Sequence, residues 1–143
     1  ILAGRKINNN MSAYVANEVS KIMNKKNIPI KDANILIMGL TFKENCPDHR
    51  NSQAVVLVQQ FKSFDCNVDV YDPWINKDES MSKYNVKLID QPTNNTYDAI
   101  IITVAHDAFK KLTSEQIKAY GKKNHVLYDI KYLLKKEESD GRL

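Results

Sequence analysis

Ile35-Leu36-Ile37-Met38-Gly39-Leu40-Thr41-Phe42-Lys43-Glu44-Asn45-Cys46-Pro47-Asp48-His49-Arg50-Asn51-Ser52 sets an apolar run against a charged loop, and Ala54-Val55-Val56-Leu57-Val58 follows it. Four consecutive apolar residues fit a strand covered on both faces, and the second run fits a helix opened by a capping serine. A strand, a charged loop and a helix in this order mark the carboxyl edge of an open α/β sheet, where such sheets bind ligands. The loop carries two cations, Lys43 and Arg50, with Phe42 beside the first and Asn51-Ser52 beside the second. Cations of these types suit a phosphorylated ligand better than a neutral one.

The rest of the chain repeats the alternation. Ile100-Ile101-Ile102-Thr103-Val104 is another run suited to a strand buried on both faces. Strands are expected over 34–38, 68–71, 86–89, 99–104 and 125–130, with helices over 52–64, 76–84, 107–111 and 114–120. Upstream, Met11, Val15, Val19, Ile22 and Met23 recur at helical spacing, which gives an amphipathic helix over 8–26 that stops near Asn27-Ile28-Pro29. The expected fold is α/β: a Rossmann-like, doubly wound parallel sheet of about five strands preceded by a long helix. Three regions follow: the helix at 1–27, the sheet domain at 28–134 and a polar tail at 135–143 whose composition predicts fraying or disorder.

Length and composition narrow the function classes. A chain of 143 residues is one ordinary domain, able to bury a core without disulfides or metals. Its net charge of +4 comes from 21 basic residues interleaved with 17 acidic ones, so no basic stripe marks a nucleic-acid surface. No apolar run approaches the roughly 20 residues of a membrane helix. Cys46 and Cys66 fall on different expected elements without CxxC or Cys/His ligand spacing, so neither a metal site nor a disulfide framework is expected, and a reducing cytoplasm fits best. The chain opens Ile1-Leu2-Ala3-Gly4, without an initiator methionine or signal peptide, and reads as a piece of something longer.

Asp72, ending the second strand in Asp69-Val70-Tyr71-Asp72-Pro73, falls where a dinucleotide-binding fold keeps its ribose-binding acid. The first strand-to-helix turn nevertheless offers Gly39 alone, where a pyrophosphate turn needs three glycines. Any nucleotide is then held by side chains, and Asp72-Pro73 reads as a turn. Cys46 lies between cations that would favour its thiolate, but nothing in the sequence pairs it with a histidine, and Pro47 favours a turn-shaping role. His106 and Asp107, after the strand over 99–104, could orient a ligand or move a proton; equally, Asp107 could cap the helix that carries Phe109. Lys131, after the last strand, is a third cation at the same edge, open to a phosphate contact or plain exposure. No self-sufficient active site is visible.

Gly39-Leu40-Thr41-Phe42-Lys43 with its spacing to Asp48 and Arg50, the Val70-Tyr71-Asp72-Pro73 turn, and Tyr128-Asp129-Ile130-Lys131 together resemble the C-terminal domain of the UDP-glucose/GDP-mannose dehydrogenase family. Arg5-Lys6-Ile7-Asn8-Asn9-Asn10-Met11 is similar to that family's central helix, which joins two domains and forms much of a homodimer contact. The wording Leu40-Thr41-Phe42-Lys43-Glu44-Asn45-Cys46-Pro47-Asp48 and Tyr71-Asp72-Pro73-Trp74 is most similar to the UDP-N-acetylhexosamine 6-dehydrogenases of surface-polysaccharide synthesis. Those enzymes oxidise the sugar C6 alcohol to a carboxylate with two NAD, through a thiohemiacetal and thioester on a cysteine. The resemblance implies that Phe42, Lys43 and Lys131 contact the UDP-sugar and that Arg50 faces NAD held by an N-terminal domain. It also implies that the nucleophilic cysteine and the GxGxxG turn precede Ile1, which leaves no catalytic residue and no metal site in this stretch. An autonomous α/β nucleotide-binding or regulatory module, and a dimerisation scaffold, remain open beside it.

Overall fold

The computed structural model describes residues 2–41, 43–45, 52–75 and 86–143, with side chains from residue 11 onward. Helix α1 (Leu2–Lys25) leads into β1 (Asn34–Met38), α2 (Gln53–Ser63), β2 (Asn67–Tyr71), β3 (Lys87–Ile89) and β4 (Tyr97–Ile102). Two short helices, α3 (Asp107–Lys110) and α4 (Ser114–Lys118), precede β5 (Gly121–Asp129), a 3₁₀ turn (Lys136–Glu138) and β6 (Gly141–Arg142). The helix expected over 76–84 lies outside the described residues.

The six strands form one sheet in the order β3-β2-β1-β4-β5-β6 with all pairings parallel. Order reverses between β1 and β4, so the first loop sits at the topological switch point. Period-two alternation splits β1 between two cores. Ile35 and Ile37 join Val15, Val19 and Met23 of α1 and Leu57, Val58 and Phe61 of α2 on one face. Leu36 and Met38 join Phe109, Ile117 and Tyr120 on the other. Helix α2 starts where its sequence says it should, with the Ser52 hydroxyl accepting from the Ala54 amide.

Two expectations are corrected. Met11 does not lie on the buried stripe of α1 but is 42% exposed. Ser12 turns inward instead and donates to the Gln53 carbonyl. The tail at 135–143 is not frayed: β6 extends the sheet, with Gly141 beside Tyr128 and Arg142 beside Asp129. Asp140 holds it there, accepting from Lys26 Nζ at 2.7 Å and from the Leu127 amide at 2.7 Å. Those bonds join residues far apart in sequence, which composition alone does not disclose. No helix among the described residues is long and apolar enough to cross a membrane.

Candidate functional site

The loop after β1 is stitched to two neighbouring strands. Gly39 has φ +115°, a conformation L side chains rarely adopt, and a Cβ there would stand 2.6 Å from Val104 Cβ. Its amide donates to the Tyr71 carbonyl, and the Thr103 hydroxyl reaches the Met38 and Gly39 carbonyls. The next two amides, of Leu40 and Thr41, donate to Asp72 Oδ2 at 2.7 and 3.1 Å. Asp72 Oδ1 accepts from the Trp74 amide at 2.8 Å, the local turn that its sequence suggests.

His106, fully buried, completes the arrangement. Its Nε2 lies 3.0 Å from Asp72 Oδ2 and 3.1 Å from Thr41 Oγ1, and its Nδ1 accepts from the Asn45 amide at 2.9 Å. Phe109 meets the ring edge-on at 5.2 Å and the half-exposed Trp74 lies on another side at 6.3 Å between centroids. Burial alone would raise the Asp72 carboxyl, but the hydrogen bonds from His106 and from the Leu40 and Trp74 amides outweigh it and hold the group below its ordinary value. Asp72 therefore stays an anion inside the fold.

The capping expectation for Asp107 is corrected. His106 occupies the cap position without a side-chain cap bond, and Asp107 is the first helical residue. The Asp107 amide donates to Asn45 Oδ1 at 2.9 Å, so the loop caps the helix instead. Asn45 itself sits at φ +56°, a conformation that Asn tolerates better than most residues.

A parallel device operates after β5. Asp129, also fully buried, accepts from the Lys131 amide at 3.1 Å and the Leu134 amide at 2.8 Å. Tyr132, at φ +56°, donates its hydroxyl to the Leu143 carbonyl, and the Arg142 guanidinium lies 3.9 Å from the centre of its ring. The short β6 thus braces the turn that carries Lys131.

Lys43 and Lys131 both emerge exposed at the carboxyl edge of the sheet, and no ion pair among the described residues engages either. Their strands, β1 and β5, are separated by β4 alone and so run about 10 Å apart. Phe42, Cys46 and Arg50 lie outside the described residues. The turn does not fit a dinucleotide, because Leu40 and Thr41 are buried in it and Asp72 is committed to three amides and His106. At the opposite edge a shallow groove of about 470 Å³, lined in part by Asn27, Asp98, Lys122 and Asn124, lies away from these loops.

The buried roles of Asp72 and Asp129 and the bracing role of Asn45 escape a sequence reading centred on cations. A signal was present: the same Tyr-Asp pair stands at the carboxyl ends of both strands, Tyr71 closing β2 with Asp72 just after it, and Tyr128-Asp129 closing β5.

Fold and site define a Rossmann-like α/β domain with exposed lysines, rather than a glycine-rich turn, at the carboxyl edge of its sheet. The chain belongs to the UDP-glucose/GDP-mannose dehydrogenase family, whose UDP binding domain matches residues 36–136. It is 46% identical over all 143 residues to the UDP-N-acetyl-D-glucosamine 6-dehydrogenase of Pseudomonas aeruginosa and 45% identical to that of Salmonella typhi, and covers 34% of each. The chain therefore spans about a third of the length of the curated relatives it matches. Its fold is also that of the NDP-N-acetyl-D-galactosaminuronic acid dehydrogenase of Methanosarcina mazei, with TM-score 0.81, 20% identity, and coverage of 96% of this chain and 28% of the other.

Proposed function

We propose that this chain is the substrate-binding domain of an NAD-dependent nucleotide-sugar 6-dehydrogenase that oxidises the C6 alcohol of a UDP-N-acetylhexosamine to the uronic acid for surface-polysaccharide synthesis. One observation carries this reading: two loops, each anchored by a buried aspartate, present Lys43 and Lys131 exposed at one sheet edge, with no ion pair to either among the described residues. A diphosphate meeting both gains charge-assisted hydrogen bonds that a neutral sugar would not. Similarity to UDP-N-acetyl-D-glucosamine 6-dehydrogenases over the full chain supports the substrate class.

Within that enzyme Lys43 and Lys131 bind the diphosphate, Phe42 packs on the nucleotide sugar and Arg50 faces the cofactor. NAD, held by a preceding domain, supplies the hydride acceptor for both oxidation steps. Overall, one primary alcohol, one water and two NAD⁺ give one carboxylate, two NADH and three H⁺. The nucleophilic cysteine belongs to the preceding domain as well. Exposed Met11 and Tyr14 on α1 support a homodimer contact along that helix, and the chemistry belongs in the cytoplasm. Mixing the chain with UDP-N-acetylglucosamine or its galacto epimer and NAD should give no NADH, while the longer enzyme gives two per sugar. NADH formed by the chain alone would overturn this division of labour.

A further inference from the structure

Among the described residues, the loop bearing Lys43 is held at its two ends. Between Thr41 and Asn45 its described anchors are the Thr41 amide on Asp72, the Thr41 hydroxyl on the Lys43 carbonyl, the two ring nitrogens of His106, and Asn45 Oδ1, which accepts from the Asp107 amide. The Asn45 amide can only donate, so the Nδ1 it meets must carry a lone pair. The ring hydrogen is then on Nε2, facing Asp72 Oδ2 and Thr41 Oγ1. One neutral tautomer thus satisfies a buried carboxylate on one side and receives the far end of the loop on the other. Lys43 lies between those two attachment points.

We propose that His106 is the positioning residue of the substrate loop: its Nδ1 lone pair accepts from the Asn45 amide, and this bond fixes Asn45 and hence the place of Lys43. The inference deepens the substrate-binding reading and rests on it for the role of Lys43. His106 touches no substrate and transfers no proton in this role. Its contribution belongs to affinity for the nucleotide, so in the longer enzyme it raises KM when lost and leaves kcat nearly unchanged.

Two substitutions separate the ring's two bonds. His106→Asn places a carbonyl oxygen near the position of Nδ1 and keeps an acceptor for the Asn45 amide, whereas His106→Gln keeps a donor toward Asp72 and withdraws that acceptor. Without ligand, the imidazole ¹⁵N shifts of the wild-type chain are expected to report Nε2–H and a hydrogen-bonded Nδ1. The Asn45 and Lys43 amide resonances should move in His106→Gln and stay near their native positions in His106→Asn. With UDP as the probe, His106→Gln should bind about tenfold more weakly than wild type, and His106→Asn within about threefold of it. Adding Lys43→Ala to His106→Gln should cost less than it does alone, because the ammonium is already displaced.

An Nδ1–H tautomer, or Lys43 and Asn45 resonances that are native in His106→Gln, overturns the inference. So does equal loss in both variants that follows their thermal stability, which would make His106 a packing residue. If wild type binds no UDP, the substrate-binding reading fails, while the ligand-free spectra still decide whether His106 positions the loop.

Discussion

Replacing Asp72 with Asn keeps the volume at the centre of the loop network and changes what its two outer atoms offer. In the native chain Oδ2 accepts from the Leu40 and Thr41 amides and from His106, and Oδ1 accepts from the Trp74 amide. Asparagine has one acceptor oxygen, so its NH₂ must face either the Trp74 amide or the other three donors. The less damaging orientation strands the Trp74 amide and turns three charge-assisted bonds into neutral ones. A buried donor without an acceptor costs about 1–3 kcal/mol and each weakened bond adds a fraction of that, for a loss of about 2–4 kcal/mol. Against the 5–15 kcal/mol typical of a domain, the variant still folds, and its Tm should fall by roughly 5–15 °C.

Acid supplies the control for that experiment. The folded-state value of Asp72 is depressed, so its contribution to stability is present above the unfolded value of about 3.9 and is lost as pH falls through the folded value. In urea titrations the gap between wild type and Asp72→Asn should therefore be widest above about pH 4 and narrow below it. A variant as stable as wild type at neutral pH would refute the hub role. A gap that persists unchanged in acid would refute its electrostatic origin.

Lys43→Ala should weaken UDP affinity by about 1.5–3 kcal/mol if a charge-assisted bond to phosphate is lost, with thermal stability nearly unchanged because the side chain is exposed. Gly39→Ala places a side chain at φ +115° against Val104 and should destabilise by more than about 2 kcal/mol in urea titrations, with the loop resonances displaced. Asp140→Ala removes the acceptor for Lys26 and the Leu127 amide and should cost about 1–3 kcal/mol, detaching β6 as judged by amide exchange at Arg142. Burial, aided by Asp65, Asp98 and Asp32, pushes the Cys66 thiol up to about 11, so labelling by a thiol reagent at mildly alkaline pH should be slow in the folded chain and fast in urea.

Some of this molecule is written locally and some is not. Ile35-Leu36-Ile37-Met38 announces a central strand because each residue must find apolar cover, and both faces of β1 supply it. Gly39 announces the break after it. Fold class and the edge that carries Lys43 and Lys131 follow from such signals. β6 does not: Gly141 and Arg142 have no strand preference of their own and pair because Asp140 ties the chain to Lys26 and Leu127. His106 was similarly opaque. It lies 65 residues from Thr41 and 34 from Asp72, and only folding turns a histidine at a helix start into a fully buried brace. A carboxylate ending a strand reads as a turn former in sequence; its second use, collecting amides from a neighbouring loop, depends on strand order.

The most direct test of a UDP-binding carboxyl edge is a titration of the ¹⁵N-labelled chain with UDP, read residue by residue. Saturable shifts are expected at Lys43, Asn45 and Lys131, absent at the first two in Lys43→Ala at the same UDP concentration. No saturable change, or changes confined to Asn27, Lys122 and Asn124 in the groove at the opposite edge, would contradict it.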